Sequence, residues 1–409
     1  MKYKQLYVLK FLLVFTVISL PLLAQQWNPQ SSPTTQNLTG LFMIDDMIGW
    51  ACGDAGVLLN TIDGGQSAWS QQILTGADLH AVTFVDAQNG IVVGDGGVIF
   101  RTTNGGANWN SVTSNTASQL RAADWGSSSV VWAAGRDGVV VKSTNGASTW
   151  VAVSPPSTAR FRGISAVGAD KAWVVGDGPE IWFTDNGGAS WTLQSSPATD
   201  DLHDVQFLTD LVGFAGGSGS NLIYTNNGGQ SWVSRNTGIA VGINGIFFLD
   251  ENIGWAAAGA GAIYATTNAG VNWLPHASGT AQDLNEIYFA NANKGWTVGN
   301  LGTILHFSVP TGIKGDGQSL AINSFQLEQN YPNPFNPTTT ISFQLPSSRM
   351  VTLKIYNVLG KEVATLVEGE LAAGSYRVTF DAAELPSSIY FYEIQAGDYK
   401  EVKRMMLIK

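Results

Sequence analysis

Along residues 27–310 the chain is written in short apolar runs separated by Gly, Asn and Asp, and the pattern returns every 41 residues in a single phase. One period reads Val205-Gln206-Phe207, Gly213-Phe214-Ala215, Leu222-Ile223-Tyr224 and Trp232-Val233-Ser234. Runs this short, bounded by turn residues, predict strands. Four of them per repeat make one blade of a β-propeller. The second position of the pair Gly49-Trp50 recurs as Ile91, Trp132, Trp173, Phe214, Trp255 and Trp296, which sets the number of blades at seven. A second marker, a turn such as Asn226-Asn227-Gly228-Gly229 before a tryptophan, occurs six times, ending at Trp69, Trp109, Trp150, Trp191, Trp232 and Trp273. Short glycine turns such as Gly94-Asp95-Gly96-Gly97 supply the positive backbone angles of tight hairpins, and the Asn or Asp of each marker turn can bond its own turn.

The seventh repeat runs through Ile304-Leu305-His306, but where its box tryptophan should fall stands Lys314. Seven periods upstream of that position is Trp27. The phase therefore predicts that residues 26–30 supply the outer strand of the last blade, closing the ring and removing an open sheet edge.

These residues resemble two related families: the Asp-box propellers typified by sialidases, and the propellers of photosystem II assembly and stability factors. The second match is closer. Its repeat, roughly GWAVGxxGxIxxTxDGGxxW, is matched by Gly90-Ile91-Val92-Val93-Gly94 onward to Thr102-Thr103-Asn104-Gly105-Gly106 and Trp109. The resemblance spans all seven repeats and implies the fold more than a function.

The ends carry targeting information. Lys2, Lys4 and Lys10 precede the apolar run from Phe11 to Leu23, and a small residue, Ala24, precedes Gln25, the three parts of a secretory signal peptide over residues 1–24. That run is too short for an ordinary membrane helix and no later stretch is long enough, so no transmembrane segment is expected in the mature chain. Cys52, the only cysteine, sits where other blades have Val93, Ala134 and Val175, and reads as a small core residue. With 13% charged residues and a formal net charge of −10, the chain is a poor candidate for nucleic-acid binding.

The repeat, over residues 25–309, is followed by a polar linker over 310–322 and a smaller domain over 323–409. There Val351, Leu353, Ile355 and Tyr376, Val378, Phe380 alternate as half-buried strands, and about six such runs suggest a small immunoglobulin-like β-sandwich. Its opening, Asn330-Tyr331-Pro332-Asn333-Pro334-Phe335-Asn336-Pro337, strongly resembles the C-terminal sorting domain of proteins exported by the type IX secretion system. The resemblance implies interaction of residues 323–409 with that machinery. It also implies export to the outer surface of a Gram-negative bacterium, followed by attachment or release. The fold expected is all-β throughout.

Aligning the repeats exposes one variable polar position at the opening of each innermost strand: Thr39, His80, Arg121, Arg162, His203, Asn244 and Asn285. An apolar residue precedes it every time, aiming the polar side chain toward the channel, so the seven should ring one mouth as a ligand-binding surface. Two arginines and two histidines in an acidic domain point to an anionic or carboxylate-bearing ligand on a protein or glycan. Asp124 and Asp204 are the nearest acids in sequence to offset them, whereas Asp54, Asp95 and Asp177, each in a tight hairpin, read as turn residues. The bland alternative is that the ring only bonds neighbouring loops.

A sialidase-like hydrolase is the catalytic alternative. It requires a tyrosine nucleophile, an acid and three converging arginines, and no tyrosine stands at a strand opening. His276 and His306 fall elsewhere in their repeats, so no metal-ligand spacing emerges, nor is there a phosphate loop or nucleophile elbow. The expectation is a binding module without catalytic residues, cofactor or metal.

Overall fold

A computed structural model describes residues 26–308, apart from residue 237, and most of 314–408; the leader lies outside the described residues. The chain divides into two compact units, one ending at Pro310 and one beginning at Thr311. The first consists of seven four-stranded antiparallel sheets, six of them built from consecutive strands. The innermost strands, in order of blades 1 to 7, are Leu38–Met43, Leu79–Phe84, Leu120–Trp125, Phe161–Val167, Leu202–Phe207, Ile243–Phe248 and Leu284–Asn291.

The seventh sheet is completed as the phase predicts. Gln26–Pro29 pairs antiparallel with Ile304–Ser308, placing Trp27 opposite Phe307. Trp27 meets Phe289 edge to face at 5.8 Å, as the box residue Trp232 meets Phe207 at 5.7 Å. The N-terminal tryptophan thus takes the position that the box tryptophan holds in other blades.

Blade contacts explain the glycine–aromatic marker. Trp173 stacks on Phe207 of the next blade with centroids 3.6 Å apart, Phe214 on Phe248 at 3.5 Å and Trp255 on Phe289 at 3.6 Å. Where a glycine precedes the marker it gives the inner-strand aromatic room: a Cβ on Gly295 would stand 2.4 Å from the Phe289 ring. Cys52 lies fully buried in this packing, where burial pushes its thiol far up, away from thiolate chemistry.

The second unit has a three-stranded sheet, Gln326–Leu327, Thr338–Leu345 and Gly374–Asp381, and a four-stranded sheet ordered Glu362–Leu371, Arg349–Asn357, Ser388–Ala396 and Tyr399–Leu407. Val351, Leu353, Ile355, Phe343 and Tyr392 fill one core. The Pro-rich opening is pinned along the final strand: Met406 N–H donates to Asn333 Oδ1 at 2.8 Å, and Phe335 is buried.

Candidate binding site at the channel mouth

Each innermost strand opens on its apolar residue, and the polar residue comes second, inside a β-bulge. The register slips between Leu38 and Gly40, Leu120 and Ala122, Leu284 and Glu286, and at the equivalent place in the other four blades. A bulge re-aims a side chain without ending the strand. All seven predicted residues accordingly line one central cavity of about 330 Å³.

Their hydrogen bonds divide them. In four blades the polar side chain reaches the carbonyl of the apolar residue that opens the next inner strand. Thr39 Oγ1 donates to Leu79 O at 2.8 Å, Asn244 Nδ2 to Leu284 O at 2.9 Å and Asn285 Nδ2 to Leu38 O at 2.8 Å. His203 Nδ1 is 2.9 Å from Ile243 O, which makes it the protonated nitrogen and leaves Nε2 to accept from Ser218 Oγ at 3.0 Å. Burial, with Arg162 adding, lowers the pKa of His203. These four stitch one blade to the next, the bland role.

The other three do not. His80 Nε2 pairs with Asp95 Oδ1 at 2.8 Å, and Gln119 touches both. Arg162 is held by Asp177 at 2.6 Å and Asp201 at 3.2 Å, and Asp177 also takes Arg160 at 3.2 Å. Burial opposes ionisation of Asp177, but the two guanidinium groups outweigh it and keep its carboxyl below the usual range. Asp95 and Asp177 are therefore more than turn residues.

Arg121 makes no hydrogen bond or ion pair among the described residues. Burial, then the positive charges of Arg162, Arg160 and Arg136, lower its pKa. Asp124 and Asp204 do not offset the arginines as the sequence suggested, because both turn into the ladder. Asp124 accepts from Trp125 N–H at 2.9 Å and, across the blade boundary, from Ala166 N–H at 2.8 Å; Asp204 does the same with Val205 and Ile246.

A second set of ties sits just outside the ring. The residue before the apolar one accepts the N–H at the centre of the preceding blade's hairpin: Asp78 from Ala55, Asp201 from Gly178, Asp283 from Ala260 and Asn37 from Leu301. At the two junctions flanking blade 3 that position holds Gln119 and Arg160, long side chains turned to the charged cluster instead. Those are the junctions where, among the described residues, ring stitch and hairpin tie are both given up.

Sequence reasoning missed the depth of the channel, lined further in by Asp124, Asp204, Glu286, Phe42, Phe247 and Tyr288. Burial pushes Asp124 up to about 7, with Asp204 adding, and Asp204 itself to about 6. Glu286 is raised by burial and then by Asp204. The signal was available in the alternation along each strand, which places these residues on the channel side. Burial and then Asp124 push the Tyr288 hydroxyl up to about 12. His276 and His306 lie outside this cavity, and burial lowers both, His306 to about 4. Among the described residues no group of three His, Cys, Asp or Glu is placed to hold a metal ion, and no helix is long and apolar enough to cross a membrane.

By class, the chain is a seven-bladed β-propeller followed in sequence by an immunoglobulin-like domain. Residues 329–409 match the family described as the secretion system C-terminal sorting domain, and residues 21–118 and 67–201 match that of the photosynthesis system II assembly factor YCF48. The chain carries a YCF48-like propeller domain and a C-terminal sorting domain.

Solved structures agree on the fold. YCF48 bound to a D1 peptide is 21% identical with a TM-score of 0.59, over 71% of this chain and 100% of the other. YCF48 from Cyanidioschyzon merolae is 20% identical at 0.59, over 69% and 99%. The WD40 β-propeller domain of Doa1 is 10% identical at 0.59, over 70% and 98%. No curated protein matches the chain.

Proposed function

We propose that this chain is a secreted, non-catalytic binding module that holds a carboxylate-bearing protein segment at the channel mouth. The observation that carries the reading is Arg121: a half-buried guanidinium crowded by Arg136, Arg160 and Arg162, with no anion of its own among the described residues. An unpaired cation among cations is unfavourable until an anion arrives, and a guanidinium accepts a carboxylate through two parallel hydrogen bonds. A protein partner is favoured over a glycan because the YCF48 structure that shares the fold is described as bound to a peptide. The sorting domain supports export, with residues 1–24 as the leader, 310–322 as the linker and residues 323–409 addressing the type IX machinery. Attachment at the outer surface or release then follows.

The test is capture of a partner from the surface and medium of the producing cells by the purified chain and by Arg121→Ala/Arg162→Ala. Loss of capture with an unchanged melting temperature supports the reading. Equal capture, or unfolding of the variant, places the function elsewhere, and turnover of fluorogenic sialosides or glycosides would replace it with the hydrolase reading.

A further inference from the structure

Below the arginines the channel changes character. The position after each bulge residue is Gly40, Ala81, Ala122, Gly163 or Gly245 in five blades, which leaves space, and Asp204 or Glu286 in the other two. Two residues further in, the wall divides. Blades 6, 7 and 1 present Phe247, Tyr288 and Phe42, packed side by side with centroids 4.7 and 5.3 Å apart. Blade 3 presents Asp124.

Two polar groups facing this space are left over. Glu286 uses only Oε1, which accepts from Ile287 N–H at 3.0 Å. Neither its Oε2 nor the Tyr288 hydroxyl has a hydrogen-bond partner among the described residues. Three enclosed carboxylates with no basic side chain at their depth repel one another, and aromatic faces beside them attract cations. The carboxylates are too dispersed to form a metal cluster among the described residues, so a small ion is a poor fit and an organic cation with an apolar stem a good one.

We propose that the inner channel takes a primary ammonium group of the partner, foremost a lysine side chain, with its methylenes on the Phe42, Tyr288 and Phe247 wall and its charge on Glu286 and Asp204. This rests on reading the channel as a partner-binding site. It adds that the partner offers an amine inward as well as a carboxylate at Arg121, so that the site reads opposite charges at two depths.

The test is calorimetry at pH 8 on the chain from residue 25 onward, which keeps the closing strand. The probes are Nα-acetyl-lysinamide, Nα-acetyl-norleucinamide, which lacks the charge, and glycinamide, which offers an α-ammonium. The lysine probe is expected to bind at least tenfold more tightly than the norleucine probe, and Glu286→Gln to remove at least tenfold of that. Asp204→Asn serves as a second variant should Glu286→Gln fold poorly. Tighter binding of glycinamide keeps the ammonium chemistry and moves its source to a chain terminus. Equal binding of the lysine and norleucine probes, or a lysine affinity indifferent to both variants, overturns the proposal.

N-acetylglycine against wild type and Arg121→Ala tests the mouth separately. Arg121-dependent carboxylate binding without amine binding leaves the partner reading standing and removes this one. Amine binding alone does the reverse, and absence of both removes both.

Discussion

The mouth carries two sectors that began from the same position of the same repeat. In blades 6 and 7, Asn244 and Asn285 reach the carbonyl of the next blade, and the hairpins are tied by Asp283 and Asn37. Around blade 3 neither device survives. His80, Arg121 and Arg162 leave the carbonyls alone, and Gln119 and Arg160 replace the tie-forming Asp or Asn. What remains is an inner stitch three residues down the strand, at Asp124 and Ser165, which blade 5 also makes at Gln206 beside its ring stitch. Asp124 and Ser165 accept from Ala166 N–H at 2.8 Å and Phe207 N–H at 3.0 Å. A repeat protein has many copies in which to hold its ring together. It can release one sector from that duty where an inner layer remains, and the released sector is where the charges stand.

The sharpest way to break this comparison is by binding. Arg121→Ala should weaken capture of a carboxylate-bearing partner about a hundredfold or more, the loss typical of truncating one member of an enclosed charge pair. Asn285→Ala should leave capture unchanged. Equal losses from the two variants, measured by calorimetry, would erase the distinction between sectors.

The next largest effect separates the stitches by pH. Asp124 titrates at about 7 in the fold, against the ordinary carboxylate value of 3.8 when unfolded. The folded state therefore binds the extra proton, so the stabilisation is full below pH 3.8 and disappears as pH rises through about 7. It amounts to about 4 kcal/mol across the window. Thermal melts from pH 5 to pH 8 should show Asp124→Asn losing that fall in stability, whereas Asn285→Ala keeps it. An identical slope in wild type and Asp124→Asn would refute the assignment.

Asn244→Ala and Asn285→Ala should each destabilise the ring by about 1 to 3 kcal/mol, since each strands a carbonyl at a blade boundary. The measurement is chemical denaturation. Asp177→Asn should be the mildest, within about 1 kcal/mol in stability because its ion pairs are partly exposed. Freeing Arg160 and leaving Arg162 to Asp201 alone, it should tighten binding of an anionic probe a few-fold, and weaker binding would mean that Asp177 positions the arginines.

The part of this molecule legible in its sequence is the part that repetition writes. Trp27 could be assigned to the last blade because packing demands an aromatic at one phase, and that demand shows along the chain. All seven ring residues could be found because a bulge in every inner strand turns the same position inward. What each does there depends on a carbonyl one repeat away in sequence and one blade away in space, and on rotamer and chain length: Thr and Asn are short enough to reach it, whereas Arg extends past it. Asp177 and Asp124 went astray for the same reason. Proximity in sequence favoured Asp124 as the partner of Arg121, yet a strand separates neighbours onto different levels and a hairpin brings Asp177 back over the channel. Asp124 and Asp204 show in the sequence but not their depth, and Glu286 and the aromatics do not show at all, because the variable position marks only the outermost layer of the channel.

Gln26 stands opposite Ser308, so a single short ladder joins the extremes of the propeller. Closing it must wait until the intervening chain is in place and overcome the entropy of the longest loop in the domain. Before that moment blade 7 is a three-stranded remnant with a bare edge. The ladder is thus expected to act as a latch, last to engage in folding and first to release on warming. Amide exchange should find Gln26, Trp27 and Asn28 less protected than the inner strands they help to enclose.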